Sequence, residues 1–150
     1  MTSQTTAPSL GAAYALKCRE CDAITELDAS YACVECFGPL EVAYAPAQVT
    51  RADIEAGPTS MWRYEALLPV VPGAGGRPGL QPGLTRLVRA DNLAAALGAR
   101  AVWVKDDSGN PTHSFKDRVV AVALENARRL GYDTIACAPP GNPPNAAAAA

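Results

Sequence analysis

Trp103-Val-Lys-Asp-Asp-Ser-Gly-Asn-Pro-Thr-His-Ser-Phe-Lys-Asp-Arg118 sets a strand, a loop and a helix start one after another. Residues 101–105 are apolar and β-prone, which predicts a buried strand. Residues 106–111 bring Ser, Gly, Asn and Pro, the residues of a loop. Ser114 can cap a helix that runs to Leu130 and is closed by Gly131. Its apolar positions Phe115, Val119, Val122, Ala123, Ala127 and Leu130 follow a 3.6-residue period, which predicts one buried stripe. Lys116 then falls in the first helical turn. The helix dipole disfavours a cation there and favours the neutral amine, the form that attacks a carbonyl. A lone lysine at a helix start is ordinarily a solvated surface cation, so the argument rests on the whole segment.

Outward from this stretch, Asp91 can cap a short helix ending at Gly98, and residues 83–88 read as a strand. Residues 134–138, Thr-Ile-Ala-Cys-Ala, predict a further strand in which Cys137 is a small buried hydrophobe. Strand, helix and strand with such connections imply parallel strands and a right-handed crossover, the beginning of a doubly wound α/β sheet.

The N-terminal half reads differently. Cys18-x-x-Cys21 and Cys33-x-x-Cys36 form two knuckles eleven residues apart. Four thiolates at that spacing suit a structural tetrahedral zinc site; the alternatives are disulfides or unrelated buried thiols. About thirty residues bury little apolar surface, so such a ribbon needs its metal to fold. Its charged residues are mostly acidic (Glu20, Asp22, Glu26, Asp28, Glu35 and Glu41 against Lys17 and Arg19), which argues against a nucleic-acid finger. Thr50 caps a short helix that Gly57-Pro58 ends. Residues 60–68 predict a second, amphipathic helix docking onto the main domain. Residues 69–82 form a Gly/Pro-rich connector.

The 150 residues carry a net charge of −2, which suggests neither a nucleic-acid nor an anionic-membrane partner. Residues 1–9 lack a basic and apolar leader, and no apolar run reaches membrane-spanning length, so the expected location is cytoplasmic.

Asn110-Pro-Thr-His-Ser-Phe-Lys-Asp-Arg118 closely resembles the lysine-bearing motif of fold-type II pyridoxal-phosphate enzymes, and among them the threonine synthases. It agrees at every fixed position of Asn-Pro-Thr-x-Ser-Phe-Lys-Asp-Arg. The resemblance implies that Lys116 holds pyridoxal 5′-phosphate covalently and then moves protons. The implied reaction converts O-phospho-L-homoserine and water to L-threonine and phosphate. Alternative readings are a dehydratase or cysteine synthase-like enzyme of the same fold type, or a non-catalytic zinc-ribbon fragment. His113, the only histidine, reads as a loop residue rather than a proton relay, and Asp117 and Arg118 as residues that hold the loop.

The implied organisation is a lead-in over 1–12, a four-cysteine zinc-ribbon-like module over 13–45, a connector over 46–82, and the N-terminal part of a catalytic domain over 83–150. After the 134–138 strand the family has Ser-Thr-Gly-Asn-Leu-Ala-Asn, which holds the substrate carboxylate and the cofactor ring. Gly141, Asn142 and Asn145 match it, which assigns Asn142 to the cofactor and Gly141 and Asn145 to the substrate. Pro139, Pro140, Pro143 and Pro144 depart from it and bring neither N–H nor hydroxyl. Arg86 stands where the family has a proline in Thr-Pro-Leu. The family's phosphate loop lies further along the chain than residue 150. This length of the fold is expected to leave apolar surface exposed and to be marginally stable alone.

Overall fold

The computed structural model describes residues 13–46, 49–70, 81–138 and 141–150. Strands β1 (Ala13–Cys18), β2 (Ile24–Thr25) and β3 (Leu40–Tyr44) form an antiparallel sheet in the order β2-β1-β3. β1 pairs along its length with β3, Cys18 opposite Leu40, so the first knuckle ends one strand and the second precedes the other. The irregular segment between Cys21 and Cys33 carries little ladder of its own: the two pairs of β2 with β1 and an isolated bridge of Ala32 with Pro39.

Helix α1 (Arg51–Ala56) starts on a capping box: Thr50 accepts from Asp53 N–H while the Asp53 carboxylate accepts from Thr50 N–H. Residues 61–67 differ from the expected helix. They form a 3₁₀ segment (Met61–Leu67), kinked at Tyr64. Its apolar end does dock as expected: Met61 and Trp62 are buried with Val70 against Ala121.

β4 (Arg86–Arg89) and β5 (Trp103–Asp106) pair antiparallel, Arg86 opposite Asp106. Between them lies α2 (Asp91–Ala96). Asp91 does not cap α2, because its carboxylate is taken by Arg89 Nε at 2.7 Å and Asp91 itself enters the first turn. Gly98 closes α2 with φ +63°, a left-handed conformation that suits glycine.

Helix α3 (Lys116–Arg129) follows a 3₁₀ turn (Asp107–Gly109) and the lysine loop, and α4 (Asn142–Ala149) packs against it. Pro143 and Pro144 fall within the first turn of α4, where the missing N–H groups have no intrahelical partner to lose. Pro139 and Pro140, the lead-in over 1–12 and connector residues 71–80 lie outside the described residues.

Three expectations are corrected. Residues 134–138 form no strand; a parallel strand needs a neighbour to pair with, and the only partner of β5 among the described residues is antiparallel β4. Cys137 is accordingly exposed rather than buried. The buried face of α3 is Asp117, Ala121 and Glu125, not the apolar stripe: Phe115 is 55% and Val119 60% exposed. Polar anchoring at Asp117 and the packing of Ala121 with Met61, Trp62 and Val70 set the rotation of α3; Val122 packs partly buried against that cluster, while Phe115 and Val119 have no covering layer among the described residues. Leu87, Val88, Trp103 and Val104, on alternate faces of the β4–β5 pair, are exposed for the same reason.

Candidate functional site

Two clusters of chemistry-bearing residues stand apart in the chain: the lysine loop and the four cysteines.

The lysine loop is fixed at both ends. Before it, Asp107 receives Arg118 Nε at 3.1 Å and Nη2 at 2.8 Å, a two-pronged ion pair, and the Thr85 hydroxyl at 2.5 Å. The Arg118 guanidinium, with Thr85, pulls the Asp107 carboxyl down to about 2, and the pair raises Arg118 in turn. Within it, the buried Asn110 accepts Gly83 N–H at 3.0 Å through Oδ1. Gly83 has φ +97°, and a Cβ there would meet Met61 N at 2.8 Å, so this crossing of the two segments requires glycine. At the head of α3, Asp117 accepts Thr112 N–H at 2.8 Å on one oxygen and the Thr112 hydroxyl on the other. Ser114 Oγ accepts Lys116 N–H at 3.1 Å, so Ser114 does serve the helix start although regular helix begins two residues later. His113 adopts φ +59° with Nδ1 2.8 Å from Ser108 O, a loop tie rather than a relay.

Lys116 therefore projects from a backbone held on both sides while its own amine is unclaimed. Among the described residues no carboxylate pairs with Nζ, whose one close partner is the Phe115 ring at 4.7 Å. Of the other two lysines, Lys17 pairs with Asp22 at 2.7 Å, and Lys105 donates to Thr85 O. A half-buried, unpaired amine on an over-determined backbone fits the covalent attachment of an aldehyde cofactor. Gly141, Asn142 and Asn145 lie at the head of α4, exposed, and Gly141 has φ +133°. No hydrogen bond joins them to Lys116 among the described residues. The two helices meet through the buried Ala121 and Ala146, whose small side chains allow close approach. Arg86, at the family's proline position, opens β4 and reaches Asp106 at 3.2 Å.

The Thr85–Asp107–Arg118 clamp and the Asn110–Gly83 tie were not legible as contacts in the sequence. Asp107 and Arg118 flank the motif as opposite charges, which is the one signal that pairs them; Thr85, 22 residues before Asp107, carries none.

In the second cluster the Sγ atoms of Cys18, Cys21, Cys33 and Cys36 all lie within 4.8 Å of one another. Cys18 and Cys36 are 3.5 Å apart and Cys21 and Cys33 3.7 Å. Zinc–sulfur bonds of about 2.3 Å in a tetrahedron place sulfurs about 3.8 Å apart, so the spacing fits. Backbone N–H groups of Glu20, Glu35 and Gly38 each donate to a cysteine sulfur at 3.4 Å. The backbone N–H groups of Cys21 and Glu20 bring the Cys18 thiol down to about 7.

Residues 80–150 match the pyridoxal-phosphate dependent enzyme family, with Lys116 inside the matched span. Threonine synthase of Methanosarcina acetivorans is 40% identical over 135 residues, covering 86% of this chain and 32% of the relative. Threonine synthase of Methanocaldococcus jannaschii is 33% identical over 130 residues, covering 84% and 32%. The 2-amino-4-ketopentanoate thiolase beta subunit of Acetoanaerobium sticklandii is 45% identical over 49 residues, covering 33% of this chain and 10% of its own. No solved structure matches. The chain spans about a third of the length of the two threonine synthases it matches. Their similarity is too long to fit within residues 80–150, so it extends into the N-terminal half. Among the described residues no helix is long and apolar enough to cross a membrane.

Proposed function

We propose that this chain forms the N-terminal portion of a threonine synthase, in which Lys116 holds pyridoxal 5′-phosphate and acts on O-phospho-L-homoserine. The observation that carries it is the unpaired Lys116 amine at the head of α3, between the Asp117–Thr112 and Arg118–Asp107 anchors, inside the family match. The cofactor, when bound, supplies an electron sink for carbanions formed beside it. Lys116 attaches it and, once displaced by substrate, takes and returns protons at Nζ. Asn142 lies by the cofactor ring, and Gly141 and Asn145 hold the substrate carboxylate. The prolines around them remove donors that relatives of this type offer, which weakens carboxylate binding. Similarity to threonine synthases over most of the chain favours this substrate over the thiolase chemistry of the shorter match.

The four cysteines form a structural zinc site in a ribbon over residues 13–45, and the Sγ spacing supports that reading. The test of the function is phosphate release from O-phospho-L-homoserine by the full-length protein that carries this N-terminal portion, supplied with cofactor and compared with Lys116→Ala. Release by wild type alone supports the proposal. Equal release by both, or none by either, refutes it for this chain.

A further inference from the structure

The two clusters are joined by α3. Its head carries Lys116, and its last turn carries Arg129, whose Nη2 donates to Leu27 O at 3.0 Å across 102 residues of sequence. Asn126, one turn back, steadies the same guanidinium through Nε at 3.3 Å. Leu27 sits in the irregular segment between Cys21 and Cys33. The ends of that segment are the two cysteines whose sulfurs approach to 3.7 Å.

The seam is otherwise loosely filled. Leu16, Leu27 and Val42 of the module face Ala123, Ala127 and Leu130 of α3 around an open cavity of about 230 Å³. Such a void forfeits packing attraction, so the charged hydrogen bond to Leu27 carries a large share of the hold.

We infer that the cysteine module is a metal-dependent brace for α3: a metal joining Cys21 to Cys33 closes the segment that presents the Leu27 carbonyl to Arg129. This rests on the four-thiolate reading above. With the metal bound, the segment has its ends fixed and its carbonyl in place. Without it, the two-residue β2 pairing and the Ala32–Pro39 bridge hold the segment only near its ends, and Leu27 between them is no longer fixed as an acceptor for Arg129. The far end of the lysine helix then frays.

Hydrogen exchange of the full chain, followed by mass spectrometry with and without a zinc chelator, tests the brace, alongside metal analysis. Chelation is expected to speed exchange over residues 22–32 and also at the end of α3, where the Leu130 and Tyr132 amides bond Asn126 O and Ala127 O. The acceleration at the helix end is roughly ten- to a hundredfold, the effect of one charged hydrogen bond on local opening. Arg129→Ala is expected to reproduce the change over 126–132 while metal content and exchange over 22–32 stay at wild-type values. Metal uptake with chelation effects confined to the module overturns the brace and leaves the zinc site standing, as does an Arg129→Ala variant with unchanged exchange at 126–132. No metal uptake by zinc-supplied wild type overturns the four-thiolate reading and, with it, the metal dependence of the brace.

Discussion

Replacing Asp107 by Asn tests whether the Arg118 clamp holds the lysine loop. The amide keeps the shape and the Thr85 contact but removes the charge that receives both guanidinium prongs. The Asp107 carboxyl titrates at about 2, against about 3.9 in an unfolded chain. Two units correspond to at most about 2.6 kcal/mol. The side chains of Arg118 and Asp107 keep 29% and 23% of their exposure, so solvent screening reduces this to about 1–2 kcal/mol. Because the folded value is the lower one, the contribution is complete above the unfolded value and is lost as pH falls through the folded one. Urea unfolding followed by tryptophan fluorescence is the assay. At pH 7 the variant is expected to unfold at a midpoint lower by roughly 0.5–1 M, for a slope of about 1–3 kcal/mol/M. The gap from wild type should shrink between about pH 4 and pH 2 and vanish below, the other carboxylates being common to both proteins. An equal gap at pH 2 and pH 7, or none at pH 7, refutes the reasoning.

Three further outcomes are expected. Gly83→Ala places a Cβ against Met61 N in a left-handed backbone and should cost about 1–3 kcal/mol in the same unfolding assay. Trp62→Ala empties the small cluster with Met61, Val70 and Ala121; a loss of about 3–5 kcal/mol is enough to abolish a cooperative transition in calorimetry. Cys33→Ser should remove metal measured by elemental analysis, and unchanged metal content would contradict the four-thiolate site.

What the sequence made legible follows from how local each signal is. The knuckle spacing, the Thr50 cap and the placement of Lys116 at a helix start depend on residues a few positions apart, and the structure reproduces these local features. The rotation of α3 did not follow from its apolar period, because Asp117 and Ala121 are drawn inward by Thr112 and Trp62, contacts that periodicity does not encode. Residues 134–138 have strand-forming composition, yet a strand exists only beside another, and among the described residues they pair with neither edge of the β4–β5 ribbon. The clamp joins Thr85, Asp107 and Arg118 through the fold rather than through spacing. The motif thus singled out Lys116 without showing what holds its backbone.

Lys116 as the cofactor lysine is the central claim, and the chain has only two others, Lys17 and Lys105. Pyridoxal 5′-phosphate added at equimolar concentration, fixed to nitrogen by borohydride and mapped by peptide mass spectrometry, distinguishes the three directly. Label is expected on Lys116, because Lys17 is engaged by Asp22 and Lys105 by Thr85 O. Label spread evenly over the three lysines, or absent from Lys116, would contradict it.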